Sequence, residues 1–244
     1  MKALIDGDIV CYRCAAVNEN ADVGLARWQA DELITRILED VNATDWKVYL
    51  SGENNFRYQL YPAYKANRKD KPKPKHLEAL REHLLLDWPT EITDGYEADD
   101  ALGINNGIDT VLCSIDKDLW QLPGYHYHFV KREWMEVSNF DGWRNFYLQL
   151  LIGDTADNIP GCSGIGKVKA PKILGSCKTE FEMYEACVES YKKSYQSPNH
   201  SMLSHGDYLE DMHLNAQLLY VWRKTDDRWI PPLKQQKQNT AIQS

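Results

Sequence analysis

The sequence lacks the features that mark membrane and secreted proteins. No run comes near the ~18 apolar residues of a transmembrane helix, so no membrane association is expected. The amino terminus has neither the long apolar stretch nor the small-residue cleavage site of a signal peptide. Six cysteines in 244 residues lack the dense spacing of a disulfide scaffold, which predicts reduced thiols in a cytoplasm. The 43% hydrophobic content, with eight Trp and fourteen Tyr, argues against a disordered chain.

A surplus of cations is also missing, since the net charge is −8, but the charges are distributed unevenly. Residues 94–118 contain seven acids against Lys117 alone. Residues 65–75 contain six cations against Asp70 alone, namely Lys65, Arg68, Lys69, Lys71, Lys73 and Lys75. The distribution therefore predicts an acidic pocket and a separate phosphate-binding strip, which the net charge conceals.

Acidic residues stand in four clusters, each placed where an apolar strand ends or a helix begins. Open α/β sheets assemble their sites at this carboxyl edge. Two carboxylates about 5 Å apart repel by roughly 3 kcal/mol at an effective dielectric of about 20, and divalent cations remove that cost. Oxygen-only ligands favour Mg²⁺, for which Mn²⁺ can substitute, over zinc. The clusters are Asp6 and Asp8; Glu97, Asp99 and Asp100; Asp116 and Asp118; and Asp154 and Asp157.

The spacing within three clusters predicts their local structure. An i, i+3 spacing places two side chains on one side of a helix, as expected for Glu97 with Asp100 and for Asp154 with Asp157. An i, i+2 spacing points two side chains the same way from an extended strand end, as expected for Asp116 with Asp118.

Helix capping is the alternative explanation for any single cluster, and Asp8 in particular can simply cap the first helix. Four clusters at matching structural positions are harder to explain by capping. Together they predict a two-metal centre, with cations about 4 Å apart, that cleaves phosphodiesters by metal-assisted hydrolysis.

Alternating strand and helix patterns over about the first 140 residues predict a mostly parallel sheet with helices on both sides. Apolar runs predict strands at residues 2–5, 46–50 and 110–115, and an edge hairpin within 126–137. Core-face spacing predicts helices at residues 25–41 and 76–86. From Trp143 the pattern is helical, with a polar loop at 194–206, a last helix at 208–222, and disorder at the end of the tail.

Two segments carry side chains suited to binding nucleic acid. Residues 55–68 mix cations with aromatic rings, which supply charge for phosphates and ring faces for unstacked bases. A solvated surface patch is the alternative for this basic stretch. Residues 161–169 resemble a helix–hairpin–helix whose glycines let backbone amides approach a phosphate, with Lys167 and Lys169 at a helix start.

Seven motifs follow one another over about residues 1–175 in an order and spacing that are jointly highly specific. They are Ile5-Asp6-Gly7, Asn55-Phe56-Arg57, Tyr64-Lys65-Ala66-Asn67-Arg68, Glu97-Ala98-Asp99-Asp100, Asp116-Lys117-Asp118-Leu119, Gly153-Asp154-x-x-Asp157-Asn158-Ile159-Pro160-Gly161 and Gly164-Ile165-Gly166-Lys167. In these motifs the chain resembles the 5′→3′ exonuclease and flap endonuclease family, which includes the N-terminal nuclease domain of bacterial DNA polymerase I. The resemblance is greatest to the small exonucleases of bacteriophages.

The resemblance implies an α/β, PIN-like nuclease core over residues 1–140, with a helical arch at about 56–80 that admits the 5′ end of a single strand. It implies a helical region over 141–225, whose helix–three-turn–helix at about 153–175 grips duplex DNA and can hold K⁺, followed by a tail over 226–244. The implied partners are DNA 5′ ends, flaps and single strand–duplex junctions. Replication proteins are further expected partners of a monomeric chain.

The same resemblance assigns roles to individual residues. Two Mg²⁺ ions are expected in direct or outer contact with Asp6, Glu97, Asp99, Asp100, Asp116, Asp118, Asp154 and Asp157. The expected catalytic residues are Lys65, Arg68 and Asp116. The expected DNA contacts are Arg57, Tyr64, Lys65, Arg68, Gly161, Gly164, Gly166, Lys167 and Lys169.

The loop after the second strand departs from the family pattern. The family usually has an aspartate there, whereas Glu53 is the one acid in residues 51–55, so that ligand is either Glu53 or absent. The expected activity is metal-dependent cleavage of DNA near 5′ ends, as in phage DNA replication. The alternatives are a catalytically inactive, structure-specific DNA-binding protein and a PIN-type RNase.

Overall fold

The first strand is buried on both faces, which places it at the centre of the sheet. In β1 (Lys2–Asp6), Ala3 and Ile5 pack into one hydrophobic cluster and Leu4 packs into another. All three side chains are fully buried. The computed structural model describes residues 1–69, 71–196 and 206–233.

The sheet contains six strands within the described residues, in the order β3–β2–β1–β4–β5–β6. Neighbouring strands are parallel except for β6, which pairs antiparallel with β5. The predicted parallel sheet and edge hairpin are therefore confirmed, whereas the short edge strand β3 was missed. The strands after β1 are β2 (Asp45–Leu50), β3 (Thr90–Ile92), β4 (Thr110–Cys113), β5 (Gly124–His128) and β6 (Glu133–Val137).

Helices cover both faces of the sheet, as predicted. Side chains of α1 (Gly7–Val17), α2 (Val23–Asp40) and α4 (Leu77–Asp87) pack in the cluster that contains Ala3 and Ile5. The cluster around Leu4 contains Ala98, Ala101 and Leu102 of α5 (Ala98–Asn105). Two of the acidic clusters lie at strand ends: Asp6 and Asp8 at the end of β1, and Asp116 and Asp118 shortly after β4.

The segment predicted to form a helical arch is not one continuous helix. It contains α3 (Phe56–Leu60) and a 3₁₀ turn at Ala66–Arg68 before α4 begins at Leu77. Pro72 and Pro74 lie between the turn and α4, where proline cannot donate the hydrogen bonds of a helix interior.

A third hydrophobic cluster lies among the later helices. It joins α6 (Asn139–Ile152), α7 (Ala170–Leu174), α8 (Glu180–Tyr195) and α9 (Tyr208–Leu219), and it includes Tyr64 and Trp229. After α9, Val221 packs in the cluster around Leu4, and Trp222 stacks on Phe56 of α3 with ring centroids 4.9 Å apart. The predictions for residues 197–205 and for the end of the tail, 234–244, lie outside the described residues. Across the described ranges no helix combines the length and apolar character needed to cross a bilayer.

Candidate active site

A cavity of about 730 Å³ lies where β1 and β4 end and α5 begins. Four cations line it, namely Lys65, Arg68, Lys117 and Lys167. Its acids come from all four clusters and outnumber the cations two to one. They are Asp6, Asp8, Glu97, Asp99, Asp116, Asp118, Asp154 and Asp157. Acids far apart in the sequence therefore share one pocket, as the sequence predicted.

Asp6 is placed by the end of β1 and by its role as a helix cap. Its Oδ1 accepts a hydrogen bond from the Ile9 amide at 3.0 Å, which caps α1. Its Oδ2 accepts a hydrogen bond from Ser114 Oγ at 2.7 Å, just after β4. Ser114 was not among the predicted site residues, because no sequence signal links positions 108 apart.

Asp100 does not line the cavity, so its carboxylate is not placed for direct contact with a metal ion. Its fully buried carboxylate receives both guanidinium Nη atoms of Arg57, at 2.6 and 2.9 Å. It also accepts the backbone amides of Glu97 and Trp222, each at 3.0 Å. Four donors occupy this carboxylate, so it has little capacity left for a cation. Of the acids that begin α5, Glu97 and Asp99 line the cavity.

Asp116 and Asp118 do not extend from a strand end as predicted. Asp116 caps a 3₁₀ turn at Lys117–Gln121, and its Oδ1 accepts the Asp118 amide at 2.8 Å. Both side chains still line the cavity, because the turn begins where β4 ends. The predicted position was therefore right and the predicted backbone geometry was wrong.

Asp154 and Asp157 lie in a closed loop, not on the predicted helix. The backbone of Asp154 pairs with that of Ile159, with N–O distances of 2.7 and 2.8 Å. Gly153 and Gly161 both have positive φ, and a Cβ on Gly161 would lie 2.3 Å from the Gly153 nitrogen. A glycine at each end of this segment was the signal for a tight closed loop that the i, i+3 interpretation overlooked.

The basic segment folds onto the acids. Lys65 Nζ pairs with the Glu97 carboxylate, and Arg68 pairs with the Asp157 carboxylate. The Tyr64 hydroxyl lies between the same two acids, 2.9 Å from Glu97 and 3.2 Å from Asp157. Lys65 has a left-handed backbone with φ of 54°, a conformation that is uncommon for a residue with a Cβ. The predicted catalytic cations are thus held at the cavity by their own ion pairs.

Three predicted DNA contacts are unsuited to that role because they are buried. Arg57 and Tyr64 are each 2% exposed and fully engaged with protein groups. Gly161 packs against Gly153. The remaining predicted contacts are accessible: Lys167 lines the cavity, and Gly164, Gly166 and Lys169 are exposed.

Glu53, the one acid in the loop after β2, is exposed and lines a smaller adjoining cavity of about 300 Å³. Asp8 lines the main cavity, yet its carboxylate is engaged by Arg81 at 2.5 Å and by the Ser51 amide at 3.0 Å. Arg81 also donates to the Ser51 carbonyl at 2.5 Å, so it joins α4 to the end of β2. The contact spans 73 positions and has no local sequence signal.

Burial and repulsion between acids raise the pKa of four carboxyls in the cavity, those of Asp6, Asp99, Asp118 and Asp157. Burial, followed by repulsion from Asp8 and Asp116, raises the pKa of Asp6 to about 7. Burial and then Asp116 raise the pKa of Asp118 to about 6. Burial and then Asp6 raise the pKa of Asp99 well above its usual range. The carboxylate charges at this site are therefore incompletely compensated by the protein.

The donor set fits a hard divalent cation by its chemistry. The cavity lining provides carboxylate oxygens and contains neither His nor Cys, which matches the preference of Mg²⁺ and Mn²⁺. Among the residues that the structure describes, no three His, Cys, Asp or Glu side chains converge into a complete metal cage. The protein thus supplies oxygen ligands and excess negative charge around an open space.

The raised pKa of Asp6 predicts a pH-dependent stability difference between the wild type and Asp6→Asn without metal. Between about pH 4 and pH 7 the native Asp6 binds more protons than the unfolded chain, so its carboxyl lowers the free energy of unfolding as pH rises. Asparagine does not titrate. We therefore expect Asp6→Asn to gain stability relative to wild type as the pH rises from about 4 to about 7, in urea unfolding with chelator. A constant difference would show that Asp6 is not held protonated by its surroundings.

The chain is similar in sequence to known proteins. The family model for the 5′-3′ exonuclease, N-terminal resolvase-like domain, matches residues 2–144. The thermostable DNA polymerase I of Thermus thermophilus is 29% identical over 196 residues, which cover 70% of this chain and 23% of the polymerase. The chain thus spans about a quarter of the length of that relative.

Solved structures share the fold. The T5 D15 protein co-crystallised with metal ions superposes with a TM-score of 0.66 at 20% identity, covering 89% of this chain and 88% of that chain. The bacteriophage T5 D15 flap endonuclease in a complex with DNA and metal ions has a TM-score of 0.58 at 20% identity, covering 89% and 85%. Since the family model spans more than half of the sequence, the chain belongs to the family of 5′-3′ exonuclease N-terminal, resolvase-like domains.

Proposed function

We propose that the chain is a divalent-metal-dependent nuclease that hydrolyses DNA phosphodiester bonds near 5′ ends, as a 5′→3′ exonuclease and flap endonuclease. The observation that carries this proposal is one cavity that joins the four acidic clusters to Lys65, Arg68 and Lys167. Family membership supports it. So does the fold shared with a flap endonuclease that was crystallised with DNA and metal ions.

The acids with carboxylate oxygens facing the cavity are the proposed metal-holding residues. Asp6, Asp99, Asp116, Asp118 and Asp154 line the cavity, and no cation occupies them as fully as Arg57 occupies Asp100. When bound, two Mg²⁺ ions would lower the pKa of a water and stabilise charge on the attacked phosphate. Glu97 and Asp157 belong to the same set, and they also pair with Lys65 and Arg68.

Lys65 and Arg68 are proposed to position the scissile phosphate. Both line the cavity, and their side chains are 20% and 49% exposed, so a phosphate can reach them. A fixed cation next to developing negative charge stabilises a transition state more than the ground state. The ion pairs with Glu97 and Asp157 hold both side chains at the cavity before substrate arrives.

The loop after α6 is proposed to grip duplex DNA as a helix–three-turn–helix at about residues 153–175. Gly164 and Gly166 are exposed and have open space where a Cβ would stand, which allows a backbone to approach a phosphate closely. Lys167 and Lys169 add positive charge beside them. A K⁺ ion is proposed at this hairpin. A division of the chain near residue 140 into nuclease core and helical region belongs to the same proposal.

The cellular setting is proposed to be the cytoplasm, with replication proteins as partners of a monomeric chain. All six cysteines are unpaired and buried, which suits a reducing compartment.

Cleavage of a 5′-labelled branched duplex, measured with Mg²⁺ and then with chelator, tests the proposed function. We expect short 5′-labelled products that require Mg²⁺. Binding of the branched duplex without any metal-dependent product would identify an inactive DNA-binding protein instead. Faster cleavage of an RNA strand than of the matched DNA strand would favour the RNase.

A further inference from the structure

The Asp118 carboxylate is held from one side by a glutamine on α6. Gln149 Nε2 donates to Asp118 Oδ1 at 2.6 Å, and Lys117 Nζ donates to the same oxygen at 2.9 Å. These two donors converge on Oδ1 and leave Oδ2 outside both contacts. Asp118 and Gln149 both line the main cavity.

A second, fully buried glutamine favours one orientation of the Gln149 amide. Gln121 Nε2 donates to Gln149 Oε1 at 3.3 Å, so the Nε2 atom of Gln149 is directed to Asp118. Gln121 itself cannot flip without loss, because its Oε1 accepts the Val221 amide and its Nε2 donates to the Leu219 carbonyl, each at 2.9 Å. Its Nε2 also donates to the Asp118 carbonyl at 3.1 Å, so the fixed orientation of this amide favours one orientation of the Gln149 amide.

The same chain segment is tied to the other side of the site. Arg57 donates to the carbonyls of Leu218 and Tyr220, at 2.8 and 2.9 Å, while its guanidinium pairs with Asp100 in the first turn of α5. Asp100 in turn accepts the Trp222 amide. Residues 218–222 span the end of α9 and the residues just after it. They thus connect to Asp100 on α5 and to the turn that carries Asp118.

We propose that Gln149 is a positioning residue for Asp118, with buried Gln121 holding it in the orientation that directs Asp118 Oδ2 to the metal site. This proposal rests on the proposed function, since it assumes that Asp118 helps to hold a divalent cation. A hydrogen bond that orients a metal-ligating side chain typically changes metal affinity by about 10- to 100-fold when it is removed. A glutamine that merely packed α6 against the turn would have no such effect.

The test measures Mn²⁺ binding to the whole chain without DNA, by the electron paramagnetic resonance signal of free Mn²⁺. Gln149→Met keeps the length of the side chain and removes the donor, and Gln149→Asn keeps an amide that is too short to reach Asp118. We expect each variant to weaken binding at one site by about tenfold or more. Gln217→Met is the matched control, because that glutamine also loses an Nε2 bond, to the Trp229 carbonyl, outside the cavity lining.

A double-variant cycle separates positioning from packing. If Gln149 acts through Asp118, then Gln149→Met should weaken Mn²⁺ binding no further once Asp118→Asn is present. Additive losses, or Mn²⁺ binding by both Gln149 variants equal to wild type, would overturn the role of Gln149 and leave the proposed function intact. A wild-type chain that binds no Mn²⁺ would overturn the proposed function, and this inference with it.

Discussion

Replacing Asp116 with asparagine is expected to lower the rate of DNA cleavage by on the order of 10³-fold or more, while binding of the duplex persists. Asp116 lines the cavity, and its charge helps to raise the pKa of Asp6, Asp99 and Asp118. It therefore lies among the acids that a divalent cation would join. Asparagine removes the charge and keeps an oxygen that can accept the Asp118 amide. The turn should therefore persist, and the substitution should slow the chemical step without weakening duplex binding.

Single-turnover cleavage of the branched duplex at saturating enzyme measures this effect, and an equilibrium titration of the same duplex measures binding. Asp45→Asn is the control, because Asp45 is an exposed acid at the opposite end of the sheet and pairs with Lys2. Unchanged turnover in Asp116→Asn would reject its role in the metal site. A matching loss of duplex binding would instead indicate damage to the fold.

Replacing Lys65 with alanine is expected to slow the chemical step by roughly 10²- to 10³-fold, with a much smaller effect on duplex binding. Lys65 Nζ lies at the cavity beside Glu97, where a fixed positive charge can stabilise the transition state of phosphate cleavage. Its backbone amide also donates to the Asp157 carbonyl at 3.0 Å, and alanine keeps that bond. The change therefore removes the ammonium group and little else.

A lysine at this position could stabilise the transition state or simply contact a DNA phosphate. Rapid-quench measurement of the chemical step and a salt titration of DNA binding distinguish these two roles. If Lys65 were an ordinary phosphate contact, its loss would lower the affinity for DNA and the rate of the chemical step together. The slope of log affinity against log salt concentration would fall by about one. Lys47→Ala, which loses an ion pair to Glu91 on the sheet, controls for the general loss of a lysine. Equal losses in binding and chemistry would recast Lys65 as an ordinary phosphate contact.

The parts of the fold that depend on local periodicity could be predicted from the sequence. The apolar, β-branched run at β4 and the core-face spacing of α2 were recognised because a buried strand and an amphipathic helix each impose a repeat on nearby residues. Strand β3, with three residues, is too short to carry such a repeat. The position of the site could then be predicted from the predicted sheet, because the carboxyl ends of parallel strands meet at one edge.

The parts that depend on long-range pairing could not be predicted. Asp100 has the spacing of a site residue, yet Arg57, 43 positions away, engages its carboxylate. The hydrogen bond from Gln149 to Asp118 spans 31 positions, and neither residue indicates its partner. Which acids face the cavity is decided by such contacts, and spacing within a motif does not contain that information.

The central claim is that acids from four distant stretches form one divalent-metal site. Crystals grown with Mn²⁺, with anomalous diffraction recorded at the manganese edge, test it most directly. Two manganese peaks within the cavity, in contact with Asp99, Asp116 and their neighbours, are the predicted result. Manganese found solely at surface carboxylates, with the cavity empty in crystals that hold Mn²⁺ elsewhere, would contradict the claim.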